Sequence, residues 1–144
     1  MIIASPLDFR EAARRRLPRF LFDYADGGAN VEETLQRNCT DLSKIALRQR
    51  VLKNVANIDL STQWFGREQS LPFALGPIGI GGMFRRRGER QAAASAHAAG
   101  IPFTLSTVSI CSMNEVKAAA EGSTWFQLYV IRDRSFIRVL ISTA

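Results

Sequence analysis

The chain has 144 residues, 47% of them apolar, and a formal net charge of +6. That length suits one domain, and that apolar content argues against disorder. No apolar run reaches the roughly 20 residues of a membrane-spanning helix, and the N-terminus lacks the basic-then-apolar pattern of a secretory signal, so a cytoplasmic location is expected.

Most of the basic residues are arginines, in two clusters: Arg14-Arg15-Arg16 with Arg19, and Arg85-Arg86-Arg87 with Arg90. Arginine forks suit phosphate. Neither cluster is interleaved with aromatics as in a stacking platform, and neither lies in a nucleic-acid-reading motif. Solvated helix faces are the expectation, with no nucleic-acid partner. Attraction to an anionic membrane surface stays open. Cys39 and Cys111 are far apart in sequence and are expected as two reduced thiols.

In chain order, Ser5-Pro6-Leu7-Asp8 offers a helix start, with Ser as cap, Pro in the first turn and Asp at the capping-box position. That helix should run to about Arg16 and stop before Pro18. A second helix is expected from about Pro18 to Ala25, ended by Gly27-Gly28. A third should open at Asn30-Val31-Glu32-Glu33, with Leu35, Leu42 and Ile45 as buried candidates. Residues 1–46 thus read as a helical lead-in. From Leu47 to Ser70 the pattern changes to short extended pieces, with Thr62-Gln63-Trp64-Phe65 as one arm of a hairpin around Gly66.

From Leu71 a repeated unit appears. Pro72-Phe73-Ala74-Leu75-Gly76 is a predicted strand, followed by a Gly-rich loop and a helix from about Gly88 to Ala99, ended by Gly100. Pro102-Phe103-Thr104-Leu105-Ser106 is the next strand. Ser112-Met113-Asn114-Glu115 is a capping box for a helix ending near Gly122. A third strand spans Thr124 to Val130, and a last helix starts near Ser135. Strands alternating with helices imply a parallel sheet with right-handed crossovers. The bulky faces, Phe73 with Leu75 and Phe103 with Leu105, should pack on the helices. Ala74, Gly76, Thr104 and Ser106 should face the other way.

In the third strand, side-chain alternation puts Trp125, Gln127 and Tyr129 on one side and Phe126, Leu128 and Val130 on the other. A carboxamide and a phenol on one side of an apolar strand need partners. In parallel α/β folds the carboxyl ends of the strands are where ligands bind. The loop Pro77-Ile78-Gly79-Ile80-Gly81-Gly82-Met83 has neither a phosphate-loop lysine nor the dinucleotide glycine spacing. With Ser106, Gln127 and Tyr129 it suggests a flat ligand across strand ends. His97 lies among alanines on a helix and is expected to be a surface or packing residue, not a base.

Several segments carry a resemblance. They are Leu17-Pro18 to Asp23-Tyr24, Gly28-Ala29, Thr34-Leu35 with Asn38, Leu47 to Leu52, Gly79 with Gly82-Met83, Gly88-Glu89, Gly100 to Thr107 and Trp125 to Arg134. Together, in unbroken order, they resemble the N-terminal part of the FMN-dependent α-hydroxy-acid dehydrogenase/oxidase family, and within it the flavin-type L-lactate dehydrogenases of bacteria. The resemblance implies an α/β fold: the N-terminal portion of a (β/α)8 barrel behind a helical lead-in, with residues 71–144 as its first three βα units. It implies FMN at the strand ends, with the backbone of Pro77, Ile78 and Gly79 against the ring and Ser106 and Gln127 hydrogen-bonding it. Tyr24 would contact the substrate carboxylate, and Tyr129 the hydroxyl or keto oxygen.

The implied reaction is oxidation of a small 2-hydroxy acid, L-lactate to pyruvate, by hydride transfer to flavin. Neither the precise acid nor the electron acceptor is fixed by the residues. The family's base histidine and carboxylate-binding arginine are expected beyond residue 144, because a full barrel takes roughly 250 residues. The isolated chain is therefore expected to be inactive. The segment Val139 to Ala144 departs from the family's charged helix, as a truncated or shifted reading frame would. Full-length members are expected as homo-oligomers, with peripheral inner-membrane association open. The competing outcomes are a basic module binding nucleic acid or anionic lipid, and a non-functional gene remnant.

Overall fold

The structure is a computed structural model that describes residues 2–120 and 122–143. The chain divides into two compact units, Met1–Val55 and Ala56–Ala144.

The first unit holds α1 (Pro6–Arg16), α2 (Arg19–Asp26) and α3 (Glu33–Ser43). The capping box forms as expected: the Asp8 carboxylate accepts from the Ser5 amide at 2.8 Å and the Ala4 amide at 2.9 Å. Arg10 forks onto Asp26 and so ties α1 to α2. Leu21 is the buried residue of these three helices. The expectation that Leu42 and Ile45 are buried is wrong: both are exposed. Leu35 is half-buried and sits where a side chain on Gly28 would fall, 3.1 Å from its Cβ. The face carrying Leu42 has nothing of its own unit to cover it. The start of α3 also slips to Glu33, because Asn30 and Glu32 take left-handed backbone.

The second unit opens with the expected hairpin. β1 (Thr62–Trp64) and β2 (Arg67–Gln69) pair antiparallel, with Trp64 opposite Arg67. The two turn residues, Phe65 and Gly66, have φ of 51° and 75°, a two-residue turn whose twist matches its strands. Next come α4 (Gly81–Phe84), α5 (Gly88–Ala98), β3 (Phe103–Ser106), α6 (Met113–Lys117), β4 (Thr124–Gln127) and α7 (Arg134–Thr143). β3 and β4 are parallel, with Ser106 opposite Gln127. Asp133 starts α7 by accepting from the Ser135 and Phe136 amides.

The expected strand Pro72–Gly76 is reduced to a single parallel bridge between Leu75 and Phe103. The Leu75 amide donates to Pro102 and its carbonyl accepts from Thr104. Pro72 has no N–H to give, and Pro77 stops the ladder on the other side. The same stretch still runs beside β3, since Ser70 donates to Gly100 and Ile80 to Val108. Phe73 and Leu75 are exposed, contrary to expectation. α6 also stops short, at Lys117. The chain then tightens into i to i+3 bonds, Ala119 to Val116 and Ala120 to Lys117, which bring Ala120 into the core.

The core lies between the sheet and its two crossover helices. Phe103, Leu105, Ala93, Ala96, Ile101, Cys111, Val116 and Ala120 are buried together, with Leu71, Met113 and Phe126 packed against them. Alanines on α5 let that helix approach the sheet closely. Trp125 meets the hairpin, with its ring centroid 5.6 Å from Trp64 and 5.4 Å from Phe65. The hairpin therefore lies at the amino end of β4, and the carboxyl ends stay clear of it. Among the described residues, β4 pairs only with β3 and the sheet does not close.

Candidate functional site at the carboxyl ends of the strands

Because β3 and β4 are parallel and in register, Ser106 and Gln127 finish side by side. Ser106 is 3% exposed. Its hydroxyl donates to Gln127 Oε1 at 3.2 Å and accepts from the Val108 amide at 3.3 Å. Gln127 Nε2 makes no hydrogen bond among the described residues, so the carboxamide keeps both N–H donors free for a ligand. A neighbour absent from the sequence expectation completes the pair. Thr107 Oγ1 donates to the Gln127 carbonyl and accepts from the Tyr129 amide at 3.0 Å. Its place beside Ser106 in a strand-end hydroxyl pair was the available signal.

Gly79 reaches the same spot from the preceding stave. A side chain there would meet Val108 Cγ2 at 2.9 Å, with Ser106 Oγ 4.0 Å away. The loop backbone is thus pressed against the end of β3. Pro77 and Ile78 are exposed beside it, and the space around a Cβ on Gly76 is empty to 4 Å. The structure brings Gly79, Ser106 and Gln127 together. Tyr129 lies beyond the end of β4, not within a strand as expected. Its phenol is about half exposed. Tyr24 is exposed on α2 in the first unit. His97 is exposed, and a Cβ on Gly122 would fall 2.6 Å from its Nδ1. That places it at the amino ends of the strands, opposite the ledge. Arg14 and Arg15 are held by Glu11, and Arg19 by Asp23.

Behind the ledge sits a buried carboxylate. Glu89 Oε1 accepts from the Gly82 and Ile110 amides, each at 3.0 Å. Burial opposes its ionisation, but the amides of Ile110, Glu89 itself and Gly82 outweigh that and hold the carboxyl below its usual range. The same burial, followed by the Glu89 carboxylate, pushes the Cys111 thiol up. A depressed carboxyl contributes stability above its unfolded pKa of about 4.3 and loses it as pH falls through the folded value. Acid unfolding of the wild type, followed by circular dichroism below about pH 4.5, should be steeper than that of Glu89→Gln, which cannot take up this proton. Matching acid profiles would refute the assignment.

The residues fit a flat, polar-edged ring. The exposed Pro77-Ile78 surface, the open space at Gly76 and the free Nε2 of Gln127 are what the chain offers to such a ring. No helix among the described residues is long and apolar enough to cross a membrane.

Comparison with known proteins identifies the family. The model of the family described as FMN-dependent dehydrogenase matches residues 13–144. The L-lactate dehydrogenases of Caulobacter vibrioides and Ectopseudomonas mendocina are 61% and 58% identical over the whole chain. The chain spans 38% of the length of each. Among solved structures, a mandelate oxidase variant superposes with a TM-score of 0.89 at 33% identity, over 99% of this chain and 43% of that one. A soluble mutant of the membrane-associated (S)-mandelate dehydrogenase from Pseudomonas putida gives 0.86 at 33%, over 95% and 40%. These neighbours are (β/α)8 barrel enzymes, matched here over their N-terminal part. The chain belongs to the FMN-dependent dehydrogenase family, a family of oxidoreductases.

Proposed function

We propose that this chain forms the amino-terminal part of an FMN-dependent 2-hydroxy-acid dehydrogenase, with L-lactate as substrate and pyruvate as product. Residues 71–144 form its first three βα units behind the lead-in at 1–46 and the extended segment at 47–70. The observation that carries this reading is the Ser106–Gln127 pair beside the Gly79 backbone. The choice of L-lactate is supported by the 58–61% identity to L-lactate dehydrogenases along the whole chain.

Bound FMN supplies a hydride acceptor. The chain's own residues would hold it. Gln127 would donate through its free Nε2 to a ring heteroatom, with Ser106 fixing the carboxamide's orientation and Thr107 fixing its backbone. Pro77, Ile78 and Gly79 would lie against the ring face. Tyr129 would meet the substrate's hydroxyl oxygen. The base is not among these residues. His97 sits at the opposite strand ends, so the chain alone should bind without turning over.

FMN titrated into the purified chain should lose fluorescence saturably. Gln127→Leu should weaken binding by about tenfold or more, on the order of 1.4 kcal/mol for a lost ligand hydrogen bond. Added L-lactate should leave the bound flavin oxidised. A folded chain that ignores FMN, or one that turns over lactate, would contradict the proposal.

A further inference from the structure

Glu89 lies in the first turn of α5 and is 5% exposed. A carboxylate in a helix's first turn gains from the helix dipole without being buried. Burial is an added cost, and Glu89 Oε2 makes no geometric hydrogen bond among the described residues, with the Cys111 thiol as the polar group beside the carboxylate. The other oxygen carries two backbone amides from two different segments. Gly82 belongs to α4, directly after the loop that leaves the first stave, and Ile110 to the loop after β3. The two segments are in tight contact there, since a Cβ on Gly82 would sit 2.9 Å from Ile110 Cβ.

Both loops run straight into the ledge. The first reaches it through Ile80, whose amide donates to Val108 and whose φ of 47° is costly for a β-branched residue. Something must hold that strained turn. The second loop begins at Ser106 and Thr107, which fix Gln127. We propose that Glu89 is a positioning residue for the cofactor ledge. Through the Gly82 and Ile110 amides it sets the Pro77–Gly82 loop at a fixed height against the Ser106–Gln127 pair. This rests on the flavin reading above and adds a residue that touches neither ring nor substrate.

Because both amides converge on Oε1, the requirement is an acceptor at that point, not a charge. Glu89→Gln keeps a carbonyl oxygen there. Glu89→Ala removes it and leaves two amides unsatisfied. The experiment uses the full chain with two readouts, amide hydrogen exchange and the affinity and absorbance spectrum of bound FMN. In Glu89→Ala, the Gly82 and Ile110 amides should exchange about tenfold faster or more, while core amides such as that of Leu105 stay protected. FMN affinity should fall by a similar factor and the flavin band should shift. Glu89→Gln should restore all three. Should Glu89→Ala fail to fold, Glu89→Asp replaces it, since its shorter stem cannot reach both amides. Wild-type exchange and flavin spectra in Glu89→Ala would overturn the proposal, as would Glu89→Gln behaving like Glu89→Ala. A wild-type chain that binds no FMN would sink the flavin reading on its own, and the exchange rates of Gly82 and Ile110 would still decide whether the latch exists.

Discussion

Leu105→Ala is expected to cost roughly 2–5 kcal/mol, the range for a buried leucine whose cavity cannot close. Leu105 is 2% exposed at the centre of β3, surrounded by Phe103, Val116, Ala93 and Ala96. Its neighbours are poorly placed to fill the gap. The alanines are too short, and the strand is fixed on one side by β4 and on the other by the Leu75 bridge. Single domains are stable by only about 5–15 kcal/mol. Losing that much from a core this small should lower the urea midpoint of the second unit markedly. The measurement is a urea titration followed by near-ultraviolet circular dichroism, which reports Trp64 and Trp125 packed together. Val130→Ala is the control: Val130 is 92% exposed, so its midpoint should move by less than about 0.5 kcal/mol. Equal midpoints for the two variants would mean that the core is not where the structure puts it.

The second large effect is expected at Gly100. The end of α5 is a Schellman turn: the Ile101 amide donates to Ala96 and the Gly100 amide to His97, each at 3.0 Å. Gly100 takes φ of 65°, where any side chain is strained. A Cβ there would also lie 2.2 Å from Ser70 Oγ and 2.9 Å from Ser70 Cβ. The Ser70 hydroxyl can rotate away. Its Cβ cannot retreat without breaking the Ser70-to-Gly100 backbone bond that ties the hairpin to the sheet. Gly100→Ala should therefore cost about 1–3 kcal/mol. Gly76→Ala meets nothing within 4 Å and has no positive φ. It should be neutral to within about 0.5 kcal/mol. Equal stabilities for the two alanine variants would contradict the turn geometry.

The features legible in the sequence were those written locally. The Ser5–Asp8 and Ser112–Glu115 capping boxes, the stop at Gly100 and the turn at Gly66 each depend on a few adjacent residues, and each forms as expected. The β3–β4 ladder then sets Ser106 opposite Gln127, a pairing between distant segments that alternation within each strand does not specify. The parts that were not legible depend on neighbours. Phe73 and Leu75 have the alternation of a buried strand, yet they are exposed, because burial needs something packed over them. Leu42 in α3 and Ile45 just beyond it show the same failure. Tyr129 looked like a strand residue by alternation, but β4 ends two residues earlier, where Thr107 takes over its backbone bonding. The Glu89 latch was invisible for another reason. Its partners are backbone amides, which leave no mark on side-chain pattern.

Phe73, Leu75, Ile78 and Val108 are among the exposed apolar residues of the second unit, and exposed apolar surface of this kind invites association.

A flavin bound across the ends of the first staves, on Gly79 and Gln127, would shield the backbone there. Hydrogen exchange of the chain with and without FMN should then show new protection confined to residues 77–82, 106–108 and 127–129. Protection that instead fell on Arg85 to Arg90, or around His97 at the opposite strand ends, would contradict it.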